Sequence, residues 1–228
     1  MVRGILIAGN ESSLFTAAAA EAAKRVESFA AAFIPGRIPN LPQSDVPKTE
    51  LPAGAIPLSW KAASPISTRT TVLAAENRLG QINDAILICS PPAIFKSAND
   101  LSPEEIETFV NDHIKGWFFL IRELCIYFRR AASGSLSLVI PETGTSGKYS
   151  QADLLGPSAA ASFRAFAQSV LAKAANEPFQ LMGFSGAEAG AEEEFSSWLF
   201  KIIDEGSKRN SGRLQKYSKI PLFRSLTL

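Results

Sequence analysis

The chain is short of the residues on which several functional classes depend. It has one histidine, His113, and two cysteines, Cys89 and Cys125, in 228 residues. Nothing in it has the Cys/His spacing of a structural zinc site, so no metal is expected. The two cysteines stand far apart inside apolar runs, which reads as buried reduced thiols of a cytoplasmic protein rather than as a disulfide. Net charge is nearly absent too: 23 basic and 22 acidic side chains leave a formal +1. That balance excludes a global electrostatic pull towards nucleic acid or a membrane. No apolar stretch approaches the roughly 20 residues that a membrane span requires. The opening Met-Val-Arg-Gly leads into an apolar run too short for a signal peptide, and the run reads as a first strand.

What is present fits one large α/β domain over residues 1–228: 46% hydrophobic and 20% charged residues, with length enough for a continuous core. Residues 4–9 end an apolar run at glycine, as a buried parallel strand does. Ser12 or Ser13 can cap the alanine-rich helix from Thr16 to Val26. A second strand is expected over 28–34. Six prolines between Pro35 and Pro57 preclude helix and central strand, so 35–57 reads as an extended surface loop in place of a regular helix. Further strands are expected at 56–60, 84–89, 134–140, 179–184 and 214–217. Helices are expected from Ser64-Pro65 to Leu79, from Pro103 to Arg130 with an interruption near Gly116, over 157–176 and over 192–205. Alternating strands and helices imply a doubly wound parallel sheet of Rossmann type, covered on both faces.

Three stretches carry a family resemblance: Gly4-Ile-Leu-Ile-Ala-Gly-Asn-Glu-Ser-Ser; Asn83-Asp-Ala-Ile-Leu-Ile-Cys-Ser with the helix Phe109 to Arg122; and Gly134-Ser-Leu-Ser-Leu-Val-Ile with Ser158 to Ser169. In this order they resemble the short-chain dehydrogenase/reductase family, an NAD- or NADP-dependent oxidoreductase family. The resemblance implies a glycine-rich turn (Gly, three residues, Gly, one residue, Gly) that lets backbone approach a pyrophosphate at a helix start. Here those positions are Gly9, Ser13 and Phe15, and the phenylalanine is expected to crowd the diphosphate. Orphan N–H groups at the helix start would still attract an anion. Gly9, Asn10, Ser12, Ser13 and Ser90 are therefore the candidates for holding NAD or NADP. Arg37 lies where the resemblance puts recognition of a 2′-phosphate, and its plainer reading is a solvated loop residue.

The resemblance also implies a tyrosine acid/base with a lysine one helical turn further on. Four positions after Tyr127, Tyr149 and Tyr217 lie Ala131, Asp153 and Pro221, so the dyad is absent. Alignment on Phe166 puts Gly156 and Ala160 at the tyrosine and lysine positions, Thr143 at the family's serine and His113 at its helix asparagine. His113, Thr143 and Tyr149 are the catalytic candidates that remain. The plainer reading makes His113 a helix histidine bonded to backbone or solvent, Tyr149 a packing lid and Asp153 a helix-entry residue.

Trp117, Phe118, Phe119, Phe163 and Phe166 lie on the two helices, near 103–130 and 157–176, that the resemblance makes a dimer interface, so a homo-oligomer is expected. The segment 207–228 carries six basic residues and no acid, and reads as solvated surface or a partner contact. It lacks the aromatic interleaving of a single-strand nucleic-acid binder. The expected function is a non-catalytic relative of the oxidoreductases that binds a small molecule or a partner. The alternatives are a non-standard NAD(P)-dependent oxidoreductase and an interaction subunit pairing with an intact dehydrogenase. Trp60 and Trp117 are expected near the cleft.

Overall fold

The structure is a computed structural model that describes residues 3–34, 50–140, 153–187 and 189–218. Seven strands form one parallel sheet in the order β3-β2-β1-β4-β5-β6-β7. The central strands β1 (Ile5–Asn10), β2 (Phe29–Ile34), β4 (Asp84–Ile88), β5 (Ser135–Val139) and β6 (Gln180–Ser185) are buried almost throughout, while the short β3 (Ala55–Leu58) and β7 (Leu214–Lys216) form the edges. Strand side chains alternate between faces, and both faces are covered, so apolar residues are needed at every position. Leu6, Ala8, Leu87, Leu136 and Leu138 join one core with residues of the helices α2 (Pro65–Leu79), α4 (Gly116–Ala131) and α5 (Leu155–Leu171). Ile5, Ile7, Phe29, Ile86, Val139 and Phe184 join the other with α1 (Ser13–Ala23) and α6 (Glu192–Glu205).

The helix starts follow local chemistry. Ser12 Oγ accepts from Phe15 N at 3.2 Å, and Ser64 does the same for Ser67 ahead of α2, which begins with proline and stops at Gly80. Ser102 and Glu105 close a capping box on α3 (Pro103–Val110). The expected interruption near Gly116 is a turn of π-helix, Asn111–Lys115, that joins α3 to α4. Gly116 is required where α4 meets the loop before α2, because a Cβ there would stand 2.5 Å from Ala62 Cβ.

Several boundaries need correction. The proline-rich loop ends before Ala55, where backbone pairing of β3 with β2 takes over; residues 35–49 lie outside the described residues. The first helix begins at Ser13, not Thr16, because the Ser12 cap starts it there. The helix expected over 157–176 is α5, ending at Leu171, with a separate 3-10 turn at Ala174–Asn176. Among the described residues no helix is long and apolar enough to cross a membrane.

Candidate functional site

The strand order reverses between β1 and β4, and in open α/β sheets ligands bind outside the carboxyl ends of strands at that point. Asn10 ends β1 there and Ser90 follows β4. Asn10 Oδ1 accepts from Ser90 N at 2.9 Å, and Asn10 Nδ2 lies 2.9 Å from His113 Nδ1. A backbone N–H can only donate, so the amide oxygen must face Ser90 and the amide nitrogen must donate to the imidazole. This makes Nδ1 of His113 an acceptor and leaves its proton on Nε2. The ring is 1% exposed and lies against Phe109, with centroids 4.6 Å apart. Burial pushes its pKa down to about 4. The histidine is therefore neutral at pH 7. Its partner is a side chain, not the backbone or solvent that its sequence context suggests.

At the start of α1 the glycine-rich positions hold a different arrangement. Phe15 is 0% exposed, in the core between α1 and the sheet, with its Cδ2 only 2.7 Å from where a Cβ on Gly9 would stand. Gly9 is thus the space into which the ring packs. This corrects the expectation that Phe15 stands in the way of a diphosphate: it points inward, into the core, as an apolar residue on the inner face of an amphipathic helix does. The polar side of the same turn is taken by the protein's own acid. Ser13 Oγ donates to Glu192 Oε1 at 3.0 Å, which brings a carboxylate from the first turn of α6 to the first turn of α1.

A third group closes the entrance of α5. Asp153 is buried, and its Oδ1 accepts from Gly156 N at 3.1 Å and from Ile94 N at 3.3 Å. An isolated antiparallel bridge pairs Phe95 with Asp153. The loop after β4 is thereby fastened onto the start of α5. Ile94, Phe109 and Ala159 form a small separate core there, with Leu101, Ile114 and Leu155 packed on it. A Cβ at Gly156 would lie 2.7 Å from Asp153 Oδ2 and 3.2 Å from Pro92 O. Ala160, one turn on, is 6% exposed.

The structure brings Asn10, Ser90 and His113 into one hydrogen-bonded chain. Gly9, Ser12 and Ser13 sit beside it on the β1–α1 turn. Arg37, Thr143 and Tyr149 lie outside the described residues. Sequence reasoning missed the Asn10–His113 pair, for which there is no local signal, since the two are 103 positions apart. It also missed the Ile94–Phe109–Ala159 core, although the four-residue spacing of Phe109 and His113 marks one helix face. Trp60 and Trp117 are 4% and 0% exposed and stack edge-on in the core under α2, α4 and α5, not beside the cleft. Large rings so placed fill the space between helices and sheet.

The fold and the residues gathered at the switch point define an open Rossmann-type α/β domain. Solved structures narrow this to the fold of the short-chain dehydrogenases. A short-chain dehydrogenase from Mycobacterium smegmatis superposes with a TM-score of 0.72 at 12% identity, over 96% of this chain and 94% of that one. A short-chain type dehydrogenase/reductase from Mycobacterium marinum gives 0.73 at 14% identity over 94% and 92%. A short-chain dehydrogenase from Bacillus anthracis gives 0.70 at 11% identity over 96% and 98%. No family model and no curated protein sequence matches the chain.

Proposed function

We propose that this chain uses a short-chain dehydrogenase fold without the family's chemistry, as a non-catalytic relative that binds a small molecule or another protein. The observation that carries the reading is Gly156. Alignment on Phe166 matches it to the family's acid/base tyrosine, and Asp153 Oδ2 and Pro92 O close on it so tightly that even a Cβ would stand at 2.7 and 3.2 Å. Ala160 cannot replace a lysine, and His113 is neutral and held by Asn10. A general acid must carry a proton that it can release near the working pH, and a buried imidazole with a pKa of about 4 does not meet that requirement.

The described residues also do not fit a dinucleotide in the seating that the fold implies. A pyrophosphate at the start of α1 would face the Glu192 carboxylate that Ser13 binds, and like charges repel. Titration calorimetry with NAD+, NADH, NADP+ and NADPH tests the reading. Affinities weaker than about 1 mM, or about −4 kcal/mol, are expected for all four. Micromolar binding with turnover of a carbonyl or alcohol substrate would refute it and establish the non-standard oxidoreductase instead.

Two further parts of the proposal concern setting. The free state of Cys89 and Cys125 supports a cytoplasmic location. The exposed side of α5 carries the small residues Ser158, Ala161, Ala165 and Ser169 together with Gln168, and Phe118 of α4 stacks on Phe166 of α5 at 4.3 Å. A flat face beside a rigid aromatic seam supports a homodimer through α4 and α5.

A further inference from the structure

We infer that residues 91–97 form a strap that closes the cleft between the end of β4 and the start of α5, and that opens as a unit while the sheet stays folded. The inference concerns access to the cleft and does not rest on the role proposed for it. The pairing of β4 with β5 ends where Cys89 N donates to Val139 O at 3.4 Å. Pro91 and Pro92 follow. Having no N–H, they cannot extend the ladder, and the chain leaves the sheet there. It regains regular structure at the 3-10 turn Ala98–Asp100, where Ser97 Oγ donates to Asp100 Oδ2 at 2.5 Å. Between these ends the strap crosses to α5, and Pro92 O comes within 3.2 Å of where a Cβ on Gly156 would stand.

The strap is held by a few separate catches. Asp153 accepts from Ile94 N and bridges to Phe95. Lys96 Nζ donates to Glu105 Oε1 of α3 at 2.6 Å. Ile94 is the one buried side chain among residues 91–97, and it pegs into the small core of Phe109 and Ala159, while Phe95 is 67% exposed. Beneath it, β4 and β5 are buried at every residue and paired on both sides. Local opening costs least where few apolar groups are buried. The strap has one apolar peg and two carboxylate contacts to release, whereas the strands have the whole sheet to lose. Swinging out between the proline pair and the 3-10 turn, it would bare Phe109, Ala159 and Gly156 and leave α5 in place.

The test is native-state hydrogen exchange of the full chain, read by NMR at the hydrogen-bonded amides of Ile94 and Lys96. It is paired with methyl methanethiosulfonate labelling of Ala159→Cys, whose side chain is covered by Ile94 when the strap is closed. In urea below the unfolding transition, both amides should exchange at least about tenfold faster than those of β4 and β5, with little dependence on urea. The thiol introduced at position 159 should label at a matching rate. Lys96→Ala should speed both readouts about threefold and leave the β4 and β5 amides unchanged, which also shows that the fold is kept. Exchange of Ile94 and Lys96 only together with the sheet, at the same urea dependence, overturns the inference. Labelling at position 159 only at the rate of global unfolding does so too, as does a Lys96→Ala effect spread equally over the sheet. The exchange measurement on the unmodified chain decides by itself if Ala159→Cys does not fold. Nucleotide titration reads the role of the cleft separately, so the two ideas can fail independently.

Discussion

His113 gives the strand-end site a measurable property. In the unfolded chain its imidazole titrates near 6.5, and in the folded protein burial pushes it down to about 4. The unfolded state therefore binds the extra proton across that interval. The sign follows: the stabilisation from keeping the ring neutral is complete above about pH 6.5 and is lost as pH falls towards the folded value. The loss amounts to about 3 kcal/mol. Protonation would also set two donors, Asn10 Nδ2 and Nδ1–H, against each other. Replacing His113 with Asn should flatten the dependence of the unfolding midpoint between pH 6.5 and 4, and a profile that keeps its slope would show the ring is not responsible. Glu21 and Asp204 act lower. Burial tends to raise both carboxyls, but Lys24 and Arg25 for Glu21, and Arg25 and Arg3 for Asp204, hold them below the usual range. Their contribution is lost only as pH falls below about 4.5.

Between elements, the joints at the carboxyl ends of the strands are fastened by side chains of this chain. Asp153 holds the N-terminus of α5 and the loop after β4 with one oxygen. Removing it by Asp153→Ala should cost about 1–2 kcal/mol in urea unfolding, as for other helix caps. Asp153→Asn, which keeps an acceptor, should recover most of that. A full-sized loss with Asn would mean that charge, not the hydrogen bond, matters. The π-helical turn at Asn111–Lys115 inserts an extra residue between α3 and α4, and His113 within it faces Asn10. Such turns arise where a side chain needs a direction that regular α-helix would not provide.

For the whole molecule, one sheet buried on both faces joins the parts, and at the amino ends of its central strands Arg3 links Asp84 of β4 to Asp204 of α6 at 2.6 Å each. The proposed homodimer belongs to this scale as well. If α5 meets its symmetry mate, Ala165→Glu puts two carboxylates into a face built of small residues, where burying unpaired charge is costly. Sedimentation equilibrium should then change from dimer to monomer, with the circular dichroism of the fold unchanged. A monomer in the unmodified protein would end the dimer proposal.

The sequence by itself determined the fold class, the order of strands and helices along the chain, and helix starts at Ser12 or Ser13, at Ser64-Pro65 and at the Ser102 cap, because apolar periodicity and capping act over a few neighbouring residues. It also determined the absence of a tyrosine–lysine dyad, which is a matter of counting. Only the tertiary structure decided that Phe15 fills the core beside Gly9, that Asn10 meets His113, and that Ser13 meets Glu192 across 179 positions. Those outcomes depend on which helix lies against which strand end, and no local pattern carries that information.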